Sequence, residues 1–143
     1  MSKGNTFEND LMKLIFNATP IANFADNAAS SPLTNLHVAL HTADPGEAGD
    51  QTTSEANYTG YARIATARTS GGWTVTNNQA QNAAVITFGQ NTAGSSLVTH
   101  FSIGTAASGA GKILYKGALT SSLNVTLNVI PEFAINTMTF TED

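Results

Sequence analysis

The feature that most constrains this chain is an alternation of apolar and polar side chains with a period of two, over residues 97–119. A period of two is typical of β-strands with one buried face. The middle of the stretch, residues 104–111, contains only Gly, Ala, Ser and Thr, which suit a turn. The stretch is therefore predicted to be a β-hairpin. Its main inward positions are Leu97, Phe101, Ile103, Ile113, Tyr115 and Leu119.

Further short strands are predicted along most of the chain, with Gly, Asn and Ser between them. They cover residues 35–42, 58–68, 73–76, 83–88, 123–129 and 137–141, and residues 77–82 are predicted to be a polar connection. Strands at this spacing are typical of sandwiches and jelly rolls. The predicted fold class is mainly β, an antiparallel, jelly-roll-like β-sandwich of about seven to eight strands with one N-terminal α-helix.

The chain length favours a single domain. Within it, residues 1–34 are predicted to form an N-terminal helix and an irregular arm, and residues 35–143 the β-sandwich.

The predicted helix covers residues 5–17 and carries an apolar stripe. Phe7, Leu11, Leu14 and Ile15 follow the i, i+4, i+7, i+8 spacing of one helix face. Two interpretations of this stripe are open: it packs on the sheet of its own domain, or it docks on a partner subunit. These four side chains are therefore the predicted interaction residues.

Formal charge is scarce, since 11% of the residues are charged against about 25% in ordinary proteins. The net charge of −4 argues against a nucleic-acid partner. No apolar run approaches the ~18 residues of a membrane span, and the first ten residues lack the apolar core of a signal peptide. A neutral polar surface suits a protein that packs against neighbours, although it is also compatible with a simple solvent-facing surface.

No motif for catalysis or metal binding is evident. The chain has no cysteine, which excludes disulfides and thiolate sites. His37 and His41 would lie about 13 Å apart on a strand, too far to share one metal ion. Ser102 has no marked base partner in the sequence. We therefore expect no enzymatic activity, no cofactor and no metal.

The segment of residues 43–57 is predicted to be an acidic loop. Asp44, Asp50 and Glu55 stand at positions one, seven and twelve of an EF-hand-like spacing, but positions three and five bring no side-chain oxygen. A solvated loop and a calcium site are both open. Arg63 and Arg68 follow closely in sequence, where they could neutralise the loop.

The aromatic residues Trp73, Tyr58 and Tyr61 also admit two interpretations. They could form a flat platform for a sugar, or they could pack in the core. With a single tryptophan in the chain, core packing is favoured.

Four segments taken together resemble a family of small bacteriophage and prophage virion proteins, labelled tail fibre or minor structural protein. The segments are LHVALHTADPGEAG, YTGYARIATAR, THFSIGTAASGAGKILYKGAL and the closing TMTFTED. The resemblance runs from residue 36 to the C-terminus. It implies a β-sandwich virion component without enzymatic activity, and it brings no catalytic residues.

Among virion components, the sequence favours a capsid cement or decoration protein that stabilises the head by bridging capsomers. It is small and low in charge, and it lacks the repeats of a fibre shaft. The alternative is a tail fibre or tail-tip component that contacts the host surface, with glycan binding as one form of that contact. The expected partners are the major capsid protein or other virion proteins, in a homodimer or homotrimer, without nucleic acid or membrane. The expected location is the virion, after synthesis in the host bacterial cytoplasm.

Overall fold

A computed structural model describes residues 5–21 and 32–142 of the chain. This part contains one helix, α1 (Asn5–Asn17), and nine strands. The strands are β1 (Asn35–His41), β2 (Ile64–Ala67), β3 (Trp73–Thr76), β4 (Gln79–Asn82), β5 (Ile86–Thr87), β6 (Ser96–Gly104), β7 (Ile113–Val125), β8 (Glu132–Phe133) and β9 (Thr139–Thr141). The prediction of a mainly β, antiparallel fold with one N-terminal helix is confirmed, with nine strands in place of seven or eight.

The chain divides into two compact units. The helix unit comprises Met1–Asn35, Ala67–Ile86 and Phe133–Asp143, and the hairpin unit comprises Leu36–Thr66 and Thr87–Glu132. The boundary at residue 34 between an arm and a sandwich stays a prediction. In the division observed here, α1 belongs with β3, β4 and β9.

The helix unit is built on a three-stranded sheet in the order β3-β4-β9, against which α1 packs. Met12 and Phe16 of the helix have no exposed surface, and their spacing of four residues places them on one helix face. The Phe16 ring lies 5.1 Å from the Trp73 ring and 5.3 Å from the Phe140 ring, measured between centroids. The core of this unit is therefore aromatic.

Strand β4 occupies residues predicted to be a polar connection, and that prediction was wrong. Ala80 is its one apolar buried residue, so hydrophobic alternation could not reveal the strand. Asn82 is also fully buried. Its Nδ2 donates to the carbonyls of Ala84 and Ala134, both at 2.8 Å, and its Oδ1 accepts from the backbone N–H of Met138 at 2.9 Å. A buried amide with all these partners is tolerated in a strand.

The hairpin unit contains a four-stranded sheet in the order β2-β1-β6-β7. The predicted hairpin is confirmed as β6 and β7, with Ile103 opposite Tyr115. The inward position predicted for Leu97 was wrong, because this side chain is 53% exposed. The predicted separate strand over residues 123–129 was wrong, because Val125 is the last residue of β7. Leu127, predicted to face inward, is 60% exposed in the turn that follows. Between the pairs Val98–Leu123 and His100–Ala118, β7 has four residues where β6 has one, so the register shifts and the ladder is interrupted there.

Two other predicted strands are shorter than expected. Only residues 64–67 of the predicted 58–68 are extended in a sheet, because the chain first turns at Gly60, which has a φ of 103°. The backbone N–H of Tyr61 closes this turn on the carbonyl of Tyr58 at 3.1 Å. Similarly, only Ile86–Thr87 of the predicted 83–88 forms a strand.

Candidate functional site

A buried pair of side chains, His41 of β1 and Ser102 of β6, has the arrangement of a serine and its base. The Nε2 atom of His41 lies 2.7 Å from the Ser102 hydroxyl, and its Nδ1 atom lies 2.9 Å from the Thr53 carbonyl. Because a carbonyl only accepts, Nδ1 carries the proton, and the hydroxyl donates to Nε2. Burial lowers the pKa of His41, although the Thr53 hydrogen bond opposes this effect. Neither side chain has exposed surface, so no substrate reaches the pair.

A second buried cluster is centred on Arg63. Its Nε and Nη2 atoms donate to the two carboxylate oxygens of Glu55 at 2.7 and 2.8 Å. Nη1 donates to the Ala106 carbonyl at 3.0 Å and Nη2 to the Gly109 carbonyl at 2.8 Å. The Tyr61 hydroxyl also donates to Glu55, at 2.8 Å. The hydrogen bonds to Glu55 raise the pKa of Arg63, and burial raises that of Tyr61. The guanidinium thus ties the acidic loop to the hairpin connection.

Gln51 forms a second set of hydrogen bonds between the acidic loop and the hairpin connection. Its Nε2 donates to the His37 carbonyl at 3.1 Å, and its Oε1 accepts from the backbone N–H of Ala106 at 3.1 Å. Its own backbone N–H donates to the Gly111 carbonyl at 2.9 Å. A Cβ at position 111 would lie 2.1 Å from the Gln51 Oε1 atom, so only glycine permits this approach. The hairpin connection is therefore held in one conformation.

Two cations of the protein pair with three of the four carboxylates in the acidic loop. Lys116 lies 2.9 Å from Asp44 and 3.3 Å from Glu47. A bond from the backbone of Gly46, followed by the bond from Lys116, lowers the pKa of Asp44. Arg63 pairs with Glu55 as expected, whereas Arg68 lies in the helix unit. Within residues 5–21 and 32–142, no group of three or more His, Cys, Asp or Glu residues could hold a metal ion.

Arg68 closes the C-terminal end of α1. Its guanidinium donates to the carbonyls of Leu14 and Ile15 at 2.6 and 2.7 Å, and to that of Leu33 at 2.7 Å. A cation at this end also complements the helix dipole. The backbone N–H of Thr19 bonds to the Lys13 carbonyl at 3.1 Å, across a left-handed Ala18 with a φ of 53°. The end of the helix is thus fixed by both a side chain and a backbone turn.

An open groove of about 510 Å³ lies in the helix unit beside this helix end. The turn before β3 forms its other side, where the backbone N–H of Trp73 bonds to the Thr69 carbonyl at 2.9 Å. Asn17 joins the two sides by donating from Nδ2 to the Trp73 carbonyl at 3.2 Å. The lining residues are Lys13, Asn17, Thr19, Thr69, Ser70, Trp73, Thr74 and Val75.

Two residues of this lining each contain a buried polar atom that has no hydrogen-bond partner among the described residues. These atoms are the Oδ1 acceptor of Asn17 and the Nε1 donor of Trp73. Buried polar atoms almost always have a partner. The Trp73 ring itself is packed against Phe16 and Phe140 and has no exposed surface. Tyr58 is only 3% exposed, so neither ring offers the flat platform that was one interpretation of the aromatic residues.

The predicted interaction residues of α1 lie beside the buried face of the helix. Phe7 is 38% exposed, whereas Leu11, Leu14 and Ile15 are partly buried. The buried face is instead made by Met12 and Phe16. The helix therefore packs on its own sheet, and the role of the four predicted residues in partner binding stays a prediction.

Large apolar side chains are exposed in both units. They are Phe7, Leu33, Val85, Leu97, Leu123, Leu127, Ile130 and Ile135. In the hairpin unit, the exposed ones fall in residues 69–111 and 117–131, which carry no formal charge. Exposed apolar side chains in uncharged surroundings are typical of surfaces that pack against another protein.

Sequence reasoning missed the main side-chain clusters of the hairpin unit. His41 and Ser102 are 61 positions apart, and Arg63 and the Gly109 carbonyl are 46 apart. No local pattern links residues so far apart in the chain. The available signal was weaker: a histidine and a serine on strands that otherwise alternate cleanly, and an arginine near an acidic loop.

A family model described as Podophage GP4 fiber I protein gp80 matches residues 4–141. No curated protein matches the chain. No helix in the part of the chain that the structure describes is long and apolar enough to cross a membrane.

Proposed function

The chain belongs to the podophage GP4 fiber I protein gp80 family and is a small phage virion structural protein; from this premise we propose that it is a non-enzymatic subunit of a phage fibre. The family match carries this proposal, since it spans nearly the whole chain and its description names a fibre. A fibre subunit assembles with other virion proteins, and we expect a homodimer or homotrimer as its basic unit.

The distribution of polar chemistry supports a structural role. The Ser102 and His41 pair, which has the geometry of a nucleophile and its base, is completely buried. Arg63 makes every one of its described bonds within the fold, to Glu55 and to two carbonyls of the hairpin connection. Buried groups of this kind hold loops in place, whereas a catalytic group has to reach its substrate.

The exposed surface supports assembly. Leu97, Leu127 and Ile130 are each at least half exposed, in stretches without formal charge. Burial of such side chains against a neighbour is favourable, and no charge there has to lose its hydration. The same surface would suit a capsid cement protein, which the sequence alone favoured. The family description supports a fibre subunit, and we therefore propose the fibre before the cement protein.

Locating the chain on purified virions tests the proposal. Phage particles carrying an epitope-tagged copy are labelled with gold-conjugated antibody and imaged by electron microscopy. We expect label on fibres, and a copy number, measured by quantitative mass spectrometry, that is a small multiple of the number of fibres. Label spread over the head, with a copy number that follows the major capsid protein, would overturn the fibre in favour of cement. Absence of the chain from particles would overturn both.

A further inference from the structure

Strand β7 forms one edge of the four-stranded sheet of the hairpin unit. It has 13 residues, and β6 is its neighbour in the sheet order β2-β1-β6-β7. The backbone on its outer side therefore has no strand partner among the described residues. The strand at the opposite edge, β2, has only four residues. A long open edge can pair with a strand of another chain, because its N–H and C=O groups keep their capacity for ladder hydrogen bonds.

The first part of this edge lies beside the acidic loop. Residues 113–116 of β7 and residues of the loop line one small hollow. Lys116 is the one charged residue of β7, and its ammonium group lies 2.9 Å from Asp44 and 3.3 Å from Glu47. The charge on the strand is thus paired within the fold. The open part of the edge is the rest of β7, residues 117–125.

This open part is uncharged and mostly exposed. The side chains of residues 120–124 are all exposed, and residues 117–125 contain no formal charge and no proline. Proteins usually protect an exposed edge with charged side chains or proline. Residues 119–122 also have no register partner on β6, because the ladder passes from the pair His100–Ala118 directly to the pair Val98–Leu123. The backbone of this stretch is therefore available to a new strand.

The open part of the edge is complementary to a second copy of itself. When two copies pair antiparallel about a two-fold axis at Ser121, Leu119 of each copy lies opposite Leu123 of the other, and Thr120 lies opposite Ser122. Leu123 is 37% exposed in the single chain, so the leucine pairs bury apolar surface. Hydroxyl side chains opposite each other also stabilise a sheet. Ser121 lies opposite itself, where a charged residue would be repelled by its own copy.

We propose that β7 pairs with β7 of a second copy of this chain, antiparallel and about a two-fold axis at Ser121. The pairing joins two four-stranded sheets into one sheet of eight strands and closes both long edges, so that assembly through this edge ends at the dimer. A single pair of strands buries less than the about 1,600 Å² of a standard interface, so we expect a dimer that dissociates at micromolar concentrations. The pairing depends on the strand edge alone, and it would form whether the chain lies in a fibre or on the head.

Charge substitution at the axis tests this geometry on the full-length protein. Ser121→Lys and Ser121→Glu each place like charges opposite each other in a dimer of one variant, and each should weaken the dimer about tenfold. An equimolar mixture of the two variants places opposite charges across the axis and should restore the dimer. Analytical ultracentrifugation from micromolar to millimolar concentrations measures the monomer, the dimer and any larger species.

Ser108→Lys and Ser108→Glu are the matched controls, since Ser108 is an exposed serine of the hairpin connection. Alone or mixed, they should dimerise like the wild type. Circular dichroism checks that each variant is folded. Ser121→Cys keeps the test valid if the charged variants are not folded, because it changes one atom in a chain without cysteine. Under mild oxidation it should form a disulfide-linked dimer faster than Ser108→Cys.

Four results would overturn the proposal. The first is a wild-type protein that stays monomeric up to millimolar concentrations or assembles as a trimer. The second is dimerisation of Ser121→Lys and Ser121→Glu, each alone, to the same extent as the wild type. The third is a mixture of these two variants that does not restore the dimer. The fourth is equal rates of disulfide formation by Ser121→Cys and Ser108→Cys.

Discussion

The buried guanidinium of Arg63 makes the most quantitative prediction. Arg63→Met removes both bonds to Glu55 and the bonds to the Ala106 and Gly109 carbonyls. The Arg63 and Glu55 side chains are 2% and 18% exposed. Breaking a buried ion pair from one side costs about 3–5 kcal/mol, because the remaining charge stays buried without its counter-ion. Gly109 is exposed, so water can replace its lost donor. We therefore expect Arg63→Met to lower the free energy of unfolding by about 3 kcal/mol, near the lower end of this range.

Urea unfolding followed by far-UV circular dichroism measures this loss as a change in the free energy of unfolding. Amide hydrogen exchange adds a local measure. The backbone N–H groups of Gln51 and Ala106 bond across the two loops that Arg63 ties together, so both should exchange faster in Arg63→Met. Lys112→Met is the matched control: it also removes one positive charge, but from an exposed side chain that directly follows the hairpin connection. It should change the free energy by no more than about 0.5 kcal/mol.

Arg63→Lys separates charge from geometry. Lysine keeps the positive charge but cannot donate in a fork to a carboxylate and two carbonyls. The free energy of unfolding of Arg63→Lys should therefore lie between those of Arg63→Met and the wild type. A loss below about 1 kcal/mol in Arg63→Met, with unchanged exchange at Gln51 and Ala106, would refute the reasoning. The pair would then behave as an ordinary surface ion pair.

Three further predictions concern His41, α1 and its C-terminal end. Burial holds the pKa of His41 below its unfolded value of about 6.5, so the unfolded chain binds more protons there. Stability should therefore fall as the pH drops below about 6.5 and should level off below the folded pKa of His41. In His41→Gln, the melting temperature should fall less over this pH range, and the part of the fall that remains comes from His37. An unchanged pH profile of the melting temperature in His41→Gln would contradict the prediction. Phe16→Ala should cost about 3–5 kcal/mol in the free energy of unfolding, whereas Phe7→Ala, at a 38% exposed position, should cost clearly less; equal costs would contradict the assigned helix face. Arg68→Met should leave the carbonyls of Leu14 and Ile15 without this donor and speed amide exchange near the end of α1. Unchanged exchange there would contradict this prediction and show that the backbone turn alone holds the helix end.

Local patterns predicted the elements whose residues interact mainly with near neighbours. The helix over residues 5–17 and the strand over residues 73–76 match α1 and β3 at both ends. The hairpin of β6 and β7 followed from its period of two and its small-residue connection. In these segments, the side-chain period is set by the backbone geometry itself.

The face that α1 buries was decided by tertiary packing. The sequence offered a stripe of Phe7, Leu11, Leu14 and Ile15, flanked by Met12 and Phe16. Both sets are apolar at helical spacing, so periodicity could not choose between them. The aromatic rings of Trp73 and Phe140 favour Met12 and Phe16, because these fill the space against the sheet.

The sequence by itself determined the fold class, the helix, the hairpin and the likeness to phage virion proteins. Each of these follows from the spacing of apolar side chains that are close in the chain, or from short segments of recognisable sequence. Only the tertiary structure placed His41 beside Ser102 and assigned Arg63 and Arg68 to different units. It also buried one atom each of Asn17 and Trp73 without a hydrogen-bond partner among the described residues. The physical reason is that hydrogen bonds between distant segments depend on strand register and on loop paths. A one-residue change in register moves a side chain to the opposite face of the sheet, and no local pattern records that choice.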